Sequence, residues 1–202
     1  MTKMLVATHN SNKRREIKSL LKEHSSIKVM NLDDLNVAPP IIVEDGKTFR
    51  QNAVKKAVTI SRFFDGLVLA DDSGLVVDAL HGKPGVRSAR FARKKATDSE
   101  NNDKLLKLLD NKPEKDRHAK FVCHIALASK GMLLNSFEGA IKGKILFQPK
   151  GKNGFGYDPV FVPKGYNKTF AEMTASYKNR ISHRGLALRK LKRSVKKYLK
   201  SH

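Results

Sequence analysis

LADDSGLVVDALHGKPGVRSARFA, residues 69–92, decides how the rest of this chain is read. An apolar run beginning at Leu67 delivers two adjacent carboxylates, Asp71 and Asp72, into Ser73-Gly74. A second apolar run follows, and a glycine- and proline-bearing loop then carries Arg87 and Arg90. The pattern reads as a strand, a small flexible turn and a second strand. Strand ends that present acids beside such a turn are where α/β proteins hold divalent metals and phosphate groups. Two consecutive carboxylates also repel each other, a cost that a plain Asx or Ser turn does not require.

Outward from this stretch, strands and helices alternate. MLVA (4–7) reads as a buried strand and residues 12–22 as a helix, with Ile17, Leu20 and Leu21 at i, i+3, i+4. IKVMNL (27–32) is a second strand, and a helix follows from about Thr48 to Phe64. LVLA (67–70) and LVVDAL (75–80) are the two strands around the acids, followed by a helix near 98–110. AKFVCHIALAS and GMLLNSFEGAIKG then form a long hairpin across Lys130-Gly131. A glycine-rich loop (149–158), a short strand PVFV and a C-terminal helix complete the order. The fold class is α/β with a mixed sheet. No linker, repeat or low-complexity tract divides the 202 residues, so one catalytic domain spanning 1–202 is expected.

Composition narrows the setting. The 40% hydrophobic and 30% charged content is that of a globular protein with a real core. No run of 18 apolar residues occurs, and Lys3 is followed by only four apolar residues before Thr8, so no membrane partner and a cytoplasmic location are expected. The single Cys123 excludes an internal disulfide and lies in the apolar run FVCHIALA, as a core thiol would. The 41 Lys and Arg outnumber 19 Asp and Glu, for a net charge of +22, which attracts polyanions. The tail RKLKRSVKKYLKSH holds seven basic residues and no acid, with Leu188, Leu191, Val195 and Leu199 at helical spacing. It reads as a basic amphipathic helix over 185–202, more simply a solvated face than a nucleic-acid reader.

Four segments carry candidate chemistry. THNSNK, comprising Thr8, His9, Asn10, Ser11, Asn12 and Lys13, follows a strand and opens a helix, where backbone N–H groups and a lysine receive phosphate. A plain cap by Asn10 or Ser11 explains it nearly as well. VEDGKTF (43–49) offers Glu44, with Asp45 or Thr48 as a helix cap. Mg²⁺ takes one or two carboxylates plus water and phosphate oxygens, so Glu44 would complement the Asp pair. In ADDSG an aspartate could hold metal or accept a proton from water, and Ser73 could donate to phosphate. In GKNGFGYDP (151–159), Gly154 and Gly156 leave the Phe155 ring free to stack on a base. Lys178, His183 and Arg184 offer donors nearby in sequence.

Taken in order, ATHNSNKRREI (7–17), EDGKTFRQNAVKKA (44–57), residues 69–92, GFGYDPVFVPKG (154–165), TFAEM (169–173) and KNRISHRGLAL (178–188) resemble the Ham1/RdgB family of inosine and xanthosine triphosphate pyrophosphatases. The resemblance spans nearly the whole chain. It implies an elongated mixed α/β fold with two lobes around a central cleft, usually a homodimer. The implied activity is Mg²⁺-dependent hydrolysis of the α–β phosphoanhydride of ITP, dITP and XTP. Residue by residue, it implies Asp72 as general base and metal ligand, Glu44 as second metal acid, and Thr8 to Lys13 and Ser73 as substrate contacts. Phe155, Gly156, Tyr157, Asp158, Lys178, His183 and Arg184 match the nucleobase pocket.

Three positions depart from the family pattern: Tyr177 stands where an acid is usual, Gln51 replaces a glutamate, and Tyr157 sits where some relatives carry Trp. The loss of the acid at 177 is expected to loosen Lys178. Two rival readings are a Maf-like pyrophosphatase of modified nucleotides and a non-enzymatic nucleic-acid-binding protein acting through the basic terminal helix.

Overall fold

In the computed structural model, residues 2–21, 27–35 and 38–200 are described, 196–200 by backbone alone. Lys22, the end of the first expected helix, and the Leu199 side chain of the basic tail lie outside the described set. The elements run β1 (Thr2–Val6), α1 (Ser11–Leu21), β2 (Ile27–Asn31), α2 (Phe49–Ile60), β3 (Leu67–Val77), α3 (Asp98–Leu108), β4 (His118–Ser129), β5 (Met132–Ile145), β6 (Phe161–Pro163), α4 (Ala175–Ile181) and α5 (His183–Lys200). The strands form one mixed sheet in the order β2-β1-β3-β4-β5-β6. β1 pairs in parallel with both β2 and β3, and β5 pairs antiparallel with β6.

The chain divides into two compact units. The first comprises the residues up to Asp72, then Cys123–Gly139, then those from Arg184 on. The second comprises Ser73–Val122 and Ala140–His183. In the first unit, Met4, Val6, Leu67, Leu69, Ile125 and Leu127 pack with Ile17 and Leu21 of α1 and with Leu188, Leu191 and Val195 of α5. Leu5, Val68, Ala70, Ala126 and Ala128 pack with Ala53, Ala57 and Ile60 of α2. Strand alternation thus feeds two separate clusters from β1, β3 and β4, as a sheet covered on both faces requires. In the second unit, Leu75, Val77, Phe121, Ile145, Phe161 and Phe170 form the core with Leu105 and Leu109.

Several expectations are corrected. LVLA and LVVDAL are not two strands about a turn: β3 runs unbroken through Asp71-Asp72-Ser73-Gly74. Gly74 serves close approach instead of a turn. A Cβ there would lie 2.2 Å from Ser88 Oγ and 2.6 Å from the Gly85 carbonyl oxygen. The Ser88 hydroxyl donates to that carbonyl at 2.6 Å and accepts from Leu75 N at 2.9 Å. The C-terminal helix begins at His183, not 185, and is preceded by the separate α4. The long hairpin turns at Lys130 (φ 50°) and Gly131 (φ 78°), the left-handed pair that a two-residue hairpin needs. Cys123 is fully buried, as expected, and burial pushes its thiol up to about 12.

Candidate active site

The first unit gathers the phosphate- and metal-type residues. Asn10 caps α1, its Oδ1 accepting from Lys13 N at 3.0 Å, while Thr8 Oγ1 accepts from Asn10 N at 3.2 Å. The capping reading of Asn10 therefore holds, and it fixes the turn that aims Lys13. Lys13 Nζ lies 3.3 Å from Asp71 Oδ2. Asn12 Oδ1 accepts from Arg15 Nη2 at 2.9 Å, and His9 and Ser11 are exposed.

Asp71 and Asp72 sit at consecutive positions of β3, so their side chains leave opposite faces of the strand. That alternation answers the repulsion between adjacent acids. Asp71 is wholly buried and receives Arg184 Nη2 at 3.2 Å and Nε at 3.3 Å. Burial alone would raise its pKa, but Lys13, Arg184 and Lys56 outweigh it and hold the carboxyl well below the usual range. Asp72 is 5% exposed, and its Oδ2 accepts from Asn52 Nδ2 at 2.9 Å. Here burial wins over Lys13, Lys56 and the Asn52 hydrogen bond, with Glu44 adding in the same direction, and the pKa is raised.

Lys56 was not foreseen. Its Nζ donates to Glu44 Oε1 at 2.7 Å and to the Asp71 carbonyl at 2.6 Å. Burial would lower its pKa, but Asp71, Glu44 and Asp72 reverse the sign and keep it charged. A signal was present: Asn52 and Lys56 stand four apart on α2, on the face that also buries Ala53, Ala57 and Ile60. Arg184 differs from expectation too. Grouped by sequence with Lys178 and His183, it is 1% exposed, paired with Glu16 and Asp71 in the first unit.

Glu44 and Asp72 are close enough to influence each other's charge. Among the described residues no group of three or more His, Cys, Asp or Glu could cage an ion. Mg²⁺ asks for less. One or two carboxylates suffice when water and substrate phosphates complete its shell, and Glu44 with Asp72 fit that demand.

The second unit gathers the base-type residues. Asp158 accepts from Phe155 N at 2.9 Å and from Lys178 Nζ. Lys178 Nζ also lies 4.6 Å from the Phe155 ring centroid, a cation–π arrangement. Asp158 thus anchors Lys178. Tyr177 turns outward, edge-on to Tyr166 at 6.1 Å. The Tyr157 ring is buried, and its hydroxyl donates to the Ser88 carbonyl at 2.9 Å. Gly156 N donates to Asp98 Oδ2 at 2.7 Å, and the Gly156 carbonyl accepts from Asn102 Nδ2 at 2.9 Å. These ties fix the loop and leave Phe155 half-exposed. His183 stacks on Phe121 at 4.7 Å and 8°, and Ser73 is half-buried in β3.

A sequence profile described as the Ham1 family matches residues 4–194. The chain belongs to the Ham1 family. The dITP/XTP pyrophosphatase of Shouchella clausii is 46% identical over 195 residues, covering 96% of this chain and 97% of that protein. That of Geobacter sulfurreducens is 47% identical over 192 residues, covering 95% and 96%. A HAM1 protein from Coxiella burnetii superposes with a TM-score of 0.87 at 40% identity, covering 98% of this chain and all of the other. The Staphylococcus aureus Ham1 protein gives 0.85 at 34% identity, with 97% and 99% covered.

Proposed function

We propose that this Ham1 protein hydrolyses the α–β phosphoanhydride of dITP, ITP and XTP to monophosphate and pyrophosphate, clearing non-standard purine nucleotides from the cytoplasmic pool. Full-length relatives named dITP/XTP pyrophosphatase support this reading. The observation that carries the mechanism is Asp72, buried in β3 on Asn52 with a raised pKa, within the fields of Lys13, Lys56 and Glu44.

Anhydride hydrolysis needs charge neutralisation on phosphate oxygens, a placed water and a base. Lys13, on the capped first turn of α1, and Lys56 supply cationic donors for the triphosphate. Asp72 accepts the proton from attacking water. Mg²⁺ held by Glu44 and Asp72 would neutralise further phosphate charge. Arg184 and Asp71 act behind these groups, as a buried pair that fixes the strand.

Phe155 offers a ring for stacking, and Lys178 a donor held by Asp158. Hypoxanthine and xanthine present an O6 acceptor where adenine presents an amino group. A donor left facing that amino group costs about 1–3 kcal/mol, roughly 5–150-fold. Gly156, Tyr157 and His183 shape the pocket through the loop ties and the Phe121 stack.

Pyrophosphate release from dITP, XTP, dATP and dGTP with Mg²⁺ tests the proposal, comparing the native chain with Asp72→Asn. Turnover on dITP and XTP at least about a hundredfold above dATP and dGTP, falling about 10²-fold or more in the variant, is the expected outcome. Equal rates on all four would overturn the pocket assignment. Turnover in Asp72→Asn within about tenfold of the native chain's would overturn the base.

A further inference from the structure

The second unit carries a pocket of about 660 Å³ that the proposed chemistry does not use. Its lining includes His118 and Lys120 of β4, Lys142 and Lys144 of β5, and Lys164 and Tyr166 just beyond β6. On β4, His118 and Lys120 alternate with Ala119 and Phe121, which enter the core. The pocket therefore opens on the face of β4 opposite Phe121 and its stacked partner His183.

Charge here is arranged in a way that folding alone does not require. Lys164 N donates to the Lys142 carbonyl at 2.8 Å, so two lysines stand at neighbouring positions of adjacent chain segments. Like charges so placed across a sheet destabilise it. Lys144 is paired with Glu114. Among the described residues, Lys120, Lys142 and Lys164 make no ion pair, and Asp78 is the only acid in the lining. Lys120 of β4, Lys142 of β5 and Lys164 beyond β6 thus line one pocket as three cations with no carboxylate partner among the described residues.

Tyr166 extends the pocket into an aromatic array. It meets Tyr177 edge-on at 6.1 Å, and the Arg180 guanidinium lies 4.8 Å from the Tyr177 centroid. Tyr177 is 38% exposed. A lysine-lined groove that tracks a backbone, flanked by aromatic rings on which bases stack, is the general design for sequence-tolerant binding of single strands; here Tyr166 is half-buried and Tyr177 is the exposed ring. A second copy of this chain is disfavoured as occupant because it would bring the same positive surface.

We infer that the pocket lined by Lys120, Lys142 and Lys164, with Tyr166 and Tyr177, binds single-stranded nucleic acid. The inference stands apart from the pyrophosphatase reading, since none of these residues serves that chemistry.

The test is fluorescence anisotropy of a labelled 20-nucleotide oligothymidine against the full chain, titrated over a range of salt. Lys142→Gln/Lys164→Gln should weaken binding tenfold or more. It should also reduce the slope of log K against log salt by about 1.4, two phosphate contacts at about 0.7 each. Lys142→Arg/Lys164→Arg should bind as the native chain does, and Tyr177→Ala should weaken binding with the salt slope unchanged. Arg189→Gln/Arg193→Gln, which removes the same charge from α5, should bind normally. Unfolding temperature confirms that each variant is folded. Undiminished binding in Lys142→Gln/Lys164→Gln would overturn the inference, as would loss of binding in the α5 variant instead. Preference for duplex, or binding of inorganic polyphosphate but not oligothymidine, would overturn it equally.

Discussion

Asp71 and Asp72 are neighbours with opposite electrostatic fates, and substitution separates them. Asp71→Asn leaves Arg184 buried with Glu16 as its remaining carboxylate among those the structure pairs with it. Breaking such a buried pair costs about 3–5 kcal/mol, a fall in melting temperature on the order of 10 °C for a chain of this size. The pH dependence has a definite sign. The folded pKa of Asp71 is depressed, so its stabilisation is complete above the unfolded value of about 3.9 and is lost as pH falls through the folded one. The gap in melting temperature between native and Asp71→Asn should therefore be full at neutral pH and narrow in strong acid. Asp72 has a raised pKa, so burial already disfavours its charge. Asp72→Asn should lose about 10²-fold or more in kcat while melting no lower than the native chain. A large drop in its melting temperature would mean that Asp72 is structural.

At the level of elements, local patterns were legible and long-range ones were not. Sequence narrows each cap to two residues, Asn10 or Ser11 and Asp45 or Thr48, because a cap acts within one turn, and the structure selects Asn10 and Thr48. Gln51 closes the capping box of α2. Its Oε1 accepts from Lys47 N at 2.8 Å and Thr48 N at 3.1 Å, closing the box that a glutamate would close. Gln51→Ala should cost about 1 kcal/mol and Gln51→Glu almost nothing, as read by thermal unfolding. The strand through DDSG was misread as a turn because Ser and Gly signal turns locally. What overrides that signal is Ser88, fourteen residues on, packed where a Cβ at 74 would stand. Gly74→Ala should therefore destabilise by about 1–3 kcal/mol through steric conflict and lower turnover by displacing Ser73. An unchanged melting temperature would show that the 85–88 segment yields. The Arg184–Glu16 pair joins residues 168 positions apart, and nothing in either local sequence announces it.

For the whole molecule, the family resemblance identified the fold because its motifs are spread from residue 7 to residue 188. A homodimer is the assembly we propose. Met132, Leu133 and Leu134 form an exposed apolar run at the start of β5, 64%, 37% and 37% exposed, which an association would cover. Light scattering should give twice the monomer mass of 22.6 kDa, and Leu133→Lys/Leu134→Lys should give the monomer. A monomeric native chain would end that proposal. No described helix is long and apolar enough to cross a membrane.

The lone thiol has a practical outcome. Cys123 is sealed in the first unit's core and far from ionisation at neutral pH, so it is a poor nucleophile toward alkylating reagents. The native chain is spectroscopically blank to maleimide chemistry while folded. A cysteine placed at any exposed position becomes the sole attachment point for a dye or spin label, with no background to subtract. Distances across this protein during turnover are thus measurable without first removing a native residue.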